Sequence, residues 1–366
     1  MQKESTSPLY QKTLAEVTSF ITSPEGSGLD FNQSAALLHQ YQLSENQPYK
    51  EFCESIDYSI STNWQDIPAL TTDTFKHATP PSCLSAEQIS TTFMTSGTTG
   101  EVRGKHHFRS VDLYETSILE AWKQLELPAP INLLILTPPP AQSPHSSLSH
   151  MMEVLREQYC PEAQYLIDHD QLDPAPLLAA IKKGQPITLL GTALAFLNLF
   201  EMLDQPLKLP AGSWVMETGG YKGSGRTLTK EELYELFNAH LGLAENDIWN
   251  EYSMTELSSQ FYTSGIGQPH RAPHWMKIRV VDPETDQQVA VGEMGYLVIY
   301  DLANIDSVLA LRTQDLAIYH DEHSFTLIGR DPSALPRGCS RSIDDALQKQ
   351  EFRIKEQNYV YLRKSL

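Results

Sequence analysis

Cysteine is scarce in this chain: Cys53, Cys83, Cys160 and Cys339 are the only four in 366 residues, and no two stand in a CxxC pair. That spacing fits neither a zinc site nor a disulfide framework and suits a reducing cytoplasm. Long apolar runs are missing as well. The most apolar stretch, Ile187 to Leu203, contains Gly191, Asn198 and Glu201 and is short for a bilayer span of roughly 20 residues. It reads as a buried strand, a turn at Gly191-Thr192 and a core helix. The first residues, Met1 to Thr6, are polar and lead into no apolar h-region, so secretion is not expected. Positive charge is in deficit too. With 27 Lys and Arg against 46 Asp and Glu, the net charge is −19 and no basic patch interrupts it, which argues against a nucleic-acid partner.

What is present is ordinary for a soluble globular protein. Residues are 40% hydrophobic and 20% charged, enough apolar material for a packed core. The length suits one large or two medium domains. Residues 1–85 read as a helical lead-in, with amphipathic stretches at Leu14 to Ile21 and Ala35 to Tyr41. Residues 86–275 alternate short apolar runs with helical patterns, which predicts an α/β core. Its strands are expected at Ile131 to Leu136, Thr188 to Leu190, Val215 to Thr218 and Ile248 to Glu251, and a helix at Ser149 to Gln158. Polar loops follow the later strands, where open α/β sheets bind ligands. Residues 276–330 read as a small β-rich subdomain, with strands at Met276 to Val281, Gly295 to Tyr300, Val308 to Arg312 and Phe325 to Ile328. A tail, 331–366, carries a charged helical pattern from Ile343 to Lys355.

The most informative segment is Thr95-Ser96-Gly97-Thr98-Thr99-Gly100-Glu101-Val102-Arg103-Gly104. Glycines let successive backbone N–H groups turn toward one anion, and small hydroxyls add donors without filling the space the phosphates need. It is not a Walker A loop, since His106 follows Gly104-Lys105 and Thr99 stands where the first glycine should be. His320-Asp321-Glu322-His323 offers metal-ligand types, but its place between two β-patterned runs, Leu316 to Tyr319 and Phe325 to Ile328, predicts a hairpin turn. His106-His107 reads as loop surface or fold, and its place beside the phosphate loop leaves a minor role open.

Four further segments follow the first loop in order: Asn250-Glu251-Tyr252-Ser253-Met254-Thr255-Glu256, Gly292-Glu293-Met294-Gly295, Arg312-Thr313-Gln314-Asp315 and Gly329-Arg330-Asp331. Together they resemble the adenylate-forming superfamily of acyl-CoA synthetases, nonribosomal adenylation domains and luciferases. Tyr49 to Cys53, Trp64 to Leu70, Glu217-Thr218-Gly219-Gly220-Tyr221-Lys222-Gly223 and Arg337-Gly338-Cys339-Ser340 extend the resemblance over nearly the whole chain. They are similar to the acyl-protein synthetases of the bacterial luminescence fatty-acid reductase complex and their relatives.

The resemblance implies the fold of an adenylate-forming large domain, with layered α/β subdomains and a small β-rich subdomain. It implies ATP and Mg²⁺ as cofactors, a carboxylic acid as substrate, and transfer of the activated acyl group to a thiol. Ser96, Thr98, Thr99 and the backbone around Gly97 and Gly100 would hold phosphates with Thr95, and Arg103 stands where lysine is more usual. Thr255 would donate to the α-phosphate, Glu256 would bind Mg²⁺ and Tyr252 would stack on adenine. Gly219 and Gly220 belong to the adenine loop, while Asp315 and Arg330 are ribose candidates. His150 could line the acyl pocket or simply pack in the core.

Two departures stand out. The superfamily's C-terminal lid domain, with its lysine, is expected to be largely missing here, and losing such a charge removes about 2.7 to 4 kcal/mol by analogy with oxyanion donors. Lys222 and Arg226 are the candidates to replace it. The luminescence enzymes are expected to load a cysteine near their own C-terminus. Cys339 reads first as a buried structural cysteine and second as the candidate acceptor, beside a partner's cysteine, a carrier thiol or coenzyme A. Two alternatives therefore stay open: a coenzyme A ligase resembling phenylacetate-CoA ligase, and a weakly catalytic nucleotide-binding subunit of an acyl-reductase complex.

Overall fold

The computed structural model describes residues 7–23, 28–96, 102–169, 171–203, 205–219 and 228–331. Residues 1–329 form one compact unit. Of the second, 330–366, only Arg330 and Asp331 are described. The helical expectation for Ile343 to Lys355 therefore lies outside the described residues.

Three helices open the chain: α1 (Pro8–Thr22), α2 (Phe31–Glu45) and α3 (Gln47–Ser55). α2 starts on a capping box, in which Asp30 accepts from the N–H of Gln33 and Gln33 reaches back to the N–H of Asp30. The short β1 (Leu70–Thr71) and a hairpin of β2 (Thr91–Met94) and β3 (Lys105–Phe108) follow. Then come α4 (Asp112–Gln124), β4 (Leu134–Leu136), α5 (Ser147–Tyr159), β5 (Gln164–Tyr165) and a small ribbon of β6 (Ile167–Asp168) and β7 (Gln171–Leu172). After α6 (Ala175–Lys183), the chain alternates β8 (Thr188–Thr192), α7 (Ala193–Met202), β9 (Trp214–Thr218), α8 (Lys230–Leu241) and β10 (Ile248–Tyr252). The last strands are β11 (Phe261–Ser264), β12 (His270–Arg271), β13 (Met276–Val281), β14 (Met294–Asp301), β15 (Ala310–Asp321) and β16 (Ser324–Arg330).

One large sheet joins most of them, in the order β13-β14-β15-β16-β12-β11-β10-β9-β8-β4-β5, with β1 beside β15. From β5 to β10 the neighbours are parallel, and β11 turns the sheet antiparallel. The parallel strands are apolar on both faces because helices cover both. Leu189, Val215 and Ile248 pack with Phe196 of α7 and Phe237 of α8. Leu190 and Met216 alternate with them and pack with Trp122 of α4 and Leu155 of α5.

The stretch from Ile187 to Leu203 is a strand and a core helix, as its composition predicts, but the turn expected at Gly191-Thr192 is absent: both residues end β8 and α7 follows directly at Ala193. Gly191 is needed for space, since a Cβ there would lie 2.7 Å from Leu136 Cβ, and the Thr192 hydroxyl caps α7 by accepting from Ala195 N–H at 3.0 Å. The two runs expected around the polar segment 313–315 form one continuous strand, β15. Thr313 is buried and donates to the Leu297 carbonyl at 2.9 Å, and a register shift between Tyr296 and Val298 absorbs the irregularity. Glu322 and His323 form the turn into β16. There His320 Nε2 meets Thr326 Oγ1 at 2.8 Å and His323 Nδ1 meets the Met276 carbonyl at 3.0 Å.

Candidate active site

The phosphate-loop candidate is the turn of the β2–β3 hairpin. The ladder pairs Met94 with Lys105 and is extended by Thr95 N–H donating to the Gly104 carbonyl at 3.0 Å, while Gly104 N–H donates to Thr95 Oγ1 at 2.8 Å. Thr95 thus closes the loop with both its backbone and its hydroxyl. Arg103, exposed, donates through Nε to the Thr95 carbonyl at 2.6 Å and through Nη2 to the Met94 carbonyl at 3.4 Å. Its charge is anchored at the loop base by the loop's own backbone. Ser96 is exposed at the start of the loop; Gly97, Thr98, Thr99 and Gly100 lie outside the described residues.

Tyr252 ends β10, and the segment after it brings Glu256 to the base of this loop. A Cβ placed on Gly104 would lie 3.5 Å from Glu256 Oε1, 3.5 Å from Phe75 Cβ and 3.0 Å from Thr95 Cγ2. Glycine at 104 therefore permits the close approach of a buried carboxylate to the loop base. His106, opposite Phe93 in the hairpin, bonds through Nδ1 to the Thr255 carbonyl at 2.9 Å. A carbonyl only accepts, so Nδ1 carries the proton. Burial pushes the His106 pKa down to about 4, which keeps the ring neutral. Asn304 Nδ2 donates to the next carbonyl, that of Glu256, at 3.0 Å.

Tyr252 donates its phenol hydrogen to Asp315 Oδ2 at 2.7 Å, which joins two of the nucleotide candidates directly. Burial, together with the Asp315 carboxylate, holds the phenol pKa well above its ordinary value. The Tyr252 ring packs near Phe261, His270 and Phe325, with centroids 5.7 to 6.0 Å away. Gly219 follows β9 with φ +72, the left-handed conformation glycine adopts freely, and is exposed. Arg330 is exposed at the end of β16. Gly220, Lys222, Arg226 and Cys339 lie outside the described residues. His150 pairs with Glu115 at 2.8 Å and packs its ring 5.5 Å from Phe93 and 5.9 Å from Tyr114.

Sequence reasoning missed several polar groups near these elements. His106 was expected at the surface or in the fold, and Asn304 and the strand-end carboxylates had no assigned part. Glu217 and Glu251 are both buried. The register pairs Asn250 with Glu217 and Glu251 with Thr218, so the two acids occupy opposite faces of the sheet. Lys230 and Tyr234 of α8 donate to Glu217 Oε1, Asn250 Nδ2 donates to the Glu217 carbonyl, and His270 Nε2 reaches Asn250 Oδ1 at 2.7 Å. On the other face Thr218 Oγ1 donates to Glu251 Oε2. Burial raises the pKa of both acids, against the opposing effect of Lys230 at Glu217 and of the Ser253 and Thr218 hydroxyls at Glu251. Alternation along β3 places His106 and Phe108 on one buried side, the only sequence signal that could have found the histidine.

The chain is similar throughout to proteins of one chemical type. The family described as acyl-protein synthetase, LuxE, matches residues 29–348. A long-chain-fatty-acid–luciferin-component ligase from Aliivibrio fischeri is 23% identical over 339 residues, 84% of this chain and 86% of that one. Among solved structures, a 2-hydroxyisobutyryl-CoA ligase in the postadenylation state with 2-HIB-AMP aligns over 82% of this chain and 67% of its own, at 15% identity and TM-score 0.59. ATP-bound MatB from Rhodopseudomonas palustris aligns over 69% of this chain, at 17% identity and TM-score 0.50. This chain spans about half the length of that MatB. These likenesses establish the adenylate-forming α/β fold expected from the motifs. The chain belongs to the acyl-protein synthetase, LuxE, family of ATP-dependent acid–thiol ligases.

Proposed function

We propose that this protein uses ATP and Mg²⁺ to convert a fatty or other acyl acid into its adenylate and then passes the acyl group to a thiol. One observation carries the assignment of the site: Glu256 Oε1 stands beside Gly104, at the base of the hydroxyl- and glycine-rich loop. A carboxylate suited to a divalent cation is thus a neighbour of a loop suited to phosphates, and Glu256 would hold the cation there. The donor set fits Mg²⁺, since one carboxylate plus substrate phosphates is its usual mode. When bound there, Mg²⁺ supplies neutralising charge at the phosphates.

The chain's own residues do the rest by positioning. Ser96, Thr98, Thr99 and the backbone at Gly97 and Gly100 would hold the phosphates, with Arg103 bracing the loop base. Thr255 would donate to the α-phosphate while the substrate carboxylate oxygen attacks phosphorus and the bond to pyrophosphate breaks. Asp315, oriented by Tyr252, would accept from the ribose hydroxyls, with Arg330 adding a contact. A carboxylate is a poor acyl donor because it is anionic; the mixed anhydride lets a thiolate attack the acyl carbon and expel AMP. Lys222 is the candidate cation at the α-phosphate. The acceptor thiol is Cys339, a cysteine of an acyl-reductase partner, a carrier thiol or coenzyme A, in a cytoplasmic setting. Among the described residues no helix is long and apolar enough to cross a membrane. The name of the Aliivibrio fischeri relative supports a long-chain acyl group.

Acid-dependent ATP–pyrophosphate exchange tests this reading, with a panel of fatty and aromatic acids. Exchange with at least one acid, reduced about 100-fold or more in Glu256→Ala, is the expected outcome. Exchange that survives Glu256→Ala unchanged would remove Glu256 from the site.

A further inference from the structure

His106 has a part in this site that its neighbours define. Each peptide group is planar, so a pinned carbonyl fixes the orientation of the whole unit. The Thr255 carbonyl belongs to the peptide entering Glu256, and the Glu256 carbonyl to the peptide leaving it. His106 Nδ1 holds the first at 2.9 Å and Asn304 Nδ2 holds the second at 3.0 Å. The Glu256 Cα therefore sits between two pinned planes, and its carboxylate is aimed at Gly104 from a fixed base.

His106 itself has little freedom. It is buried on β3, two residues past the loop's closing glycine. Its ring lies 4.2 Å from the Phe108 ring and 5.7 Å from the Phe75 ring, the latter edge-on. Phe75 in turn reaches Gly104, where a Cβ would lie 3.5 Å from its own. The strand that carries the phosphate loop thus also carries the donor that orients the segment facing the loop. Asn304 is itself held in the core and donates a second bond, to the Val308 carbonyl at 3.2 Å.

We propose that His106 is a positioning residue that sets where the Glu256 carboxylate stands against the phosphate loop, and so tunes the demand for Mg²⁺. The proposal rests on the reading of Glu256 as the cation's carboxylate. Its chemical content is one hydrogen-bond donor at the Nδ1 position. Asparagine places an amide nitrogen near that point and glutamine places it one bond further out, with similar polarity in both.

The test compares His106→Asn, His106→Gln and Glu256→Gln with the native chain by two readouts. One is calorimetric ATP affinity as a function of free Mg²⁺; the other is acid-dependent pyrophosphate exchange over the same range. His106→Gln is expected to raise the Mg²⁺ needed for half-maximal ATP affinity about tenfold, the usual effect of losing an outer support of a metal ligand. His106→Asn is expected to stay within about twofold of native, and the KM for the acid should be unchanged in both. Urea midpoints confirm that the variants being compared are folded. Equal Mg²⁺ dependence in His106→Gln and native, with a clear shift in Glu256→Gln, would overturn the role of His106 alone. No shift in Glu256→Gln would overturn the metal assignment beneath it, and the proposal with it.

Discussion

Glu217 and Glu251 lie near the ends of adjacent parallel strands, both buried, yet the two faces of the sheet treat them differently. Toward α8, Glu217 meets the ammonium group of Lys230 and the phenol of Tyr234. Toward α4 and α5, Glu251 meets hydroxyls, from Thr218 and Ser253. Among the described residues each acid also keeps one buried oxygen, Glu217 Oε2 and Glu251 Oε1, without a hydrogen-bond partner. A buried carboxylate must be neutralised by a counter-charge or by a proton. The first route makes Glu217 a fixed ion pair that braces α8 behind the strand leading to the adenine-loop candidates. The second is the direction in which burial pushes Glu251, next to Tyr252.

Removing the counter-charge is the most damaging way to break this comparison. Lys230→Met leaves Glu217, with its side chain fully buried, without its cation, while Lys230 itself is 43% exposed. Losing one partner of a buried pair costs 3 to 5 kcal/mol, and the exposed lysine places this case near the lower end, about 3 kcal/mol. Urea unfolding near pH 7 measures it, and adding Glu217→Gln should restore most of the loss. A loss under about 1 kcal/mol would mean that Glu217 is neutral despite Lys230.

The next largest effect concerns His270, which lies on the Glu217 side through Asn250. Burial, with a smaller contribution from Lys230, pushes its pKa down to about 3. Between that value and the ordinary histidine value of about 6.5, the unfolded chain binds a proton that the folded one refuses. Stability therefore rises with pH across this window, and acidification from pH 6.5 costs about 1.4 kcal/mol per unit from this group. His270→Gln should reduce the slope of the stability profile between pH 6 and 4.5 by about 1.4 kcal/mol per unit, leaving the part due to His39 and His106, whose pKa values burial also lowers, to about 4. An unchanged slope would show that His270 is not the group responsible.

The parallel strands were legible because each is apolar on both faces, so Thr188 to Leu190, Val215 to Thr218 and Ile248 to Glu251 stand out as short runs between polar segments. The motif residues were legible as a set of chemical types. Their mutual geometry was not, since Gly104 and Glu256 lie far apart in sequence and meet only because the β2–β3 hairpin packs against the segment after β10. His106 followed by His107 offers two identical rings, and beyond alternation with Phe108 it is the pairing of His106 with Phe93 that decides which one turns inward. Asn304 carried no signal at all: its amide matters because two carbonyls happen to converge on it. Glu217 and Glu251 were visible as letters inside motifs, but opposite burial on two sheet faces is a property of register.

The smallest expected effect is the one that sharpens the comparison most. If Glu251 keeps its proton when folded, Glu251→Gln replaces one neutral group with another of nearly the same shape, and the Thr218 hydroxyl still finds an acceptor. The sign of its pH dependence follows from the raised pKa. Below the ordinary carboxylate range both states of the native chain are protonated and the variant should match it. Above that range the unfolded native chain ionises while the folded one holds its proton, so native stability falls with rising pH until the folded group ionises. The glutamine variant does not pay this cost. It should therefore match native at about pH 4 and be more stable than native at pH 8, read from urea midpoints at the two values. A loss of about 3 kcal/mol at pH 8 would instead mean that Glu251 is an anion with a cation of its own, and Lys222 and Arg226 would be the first residues to substitute in search of it.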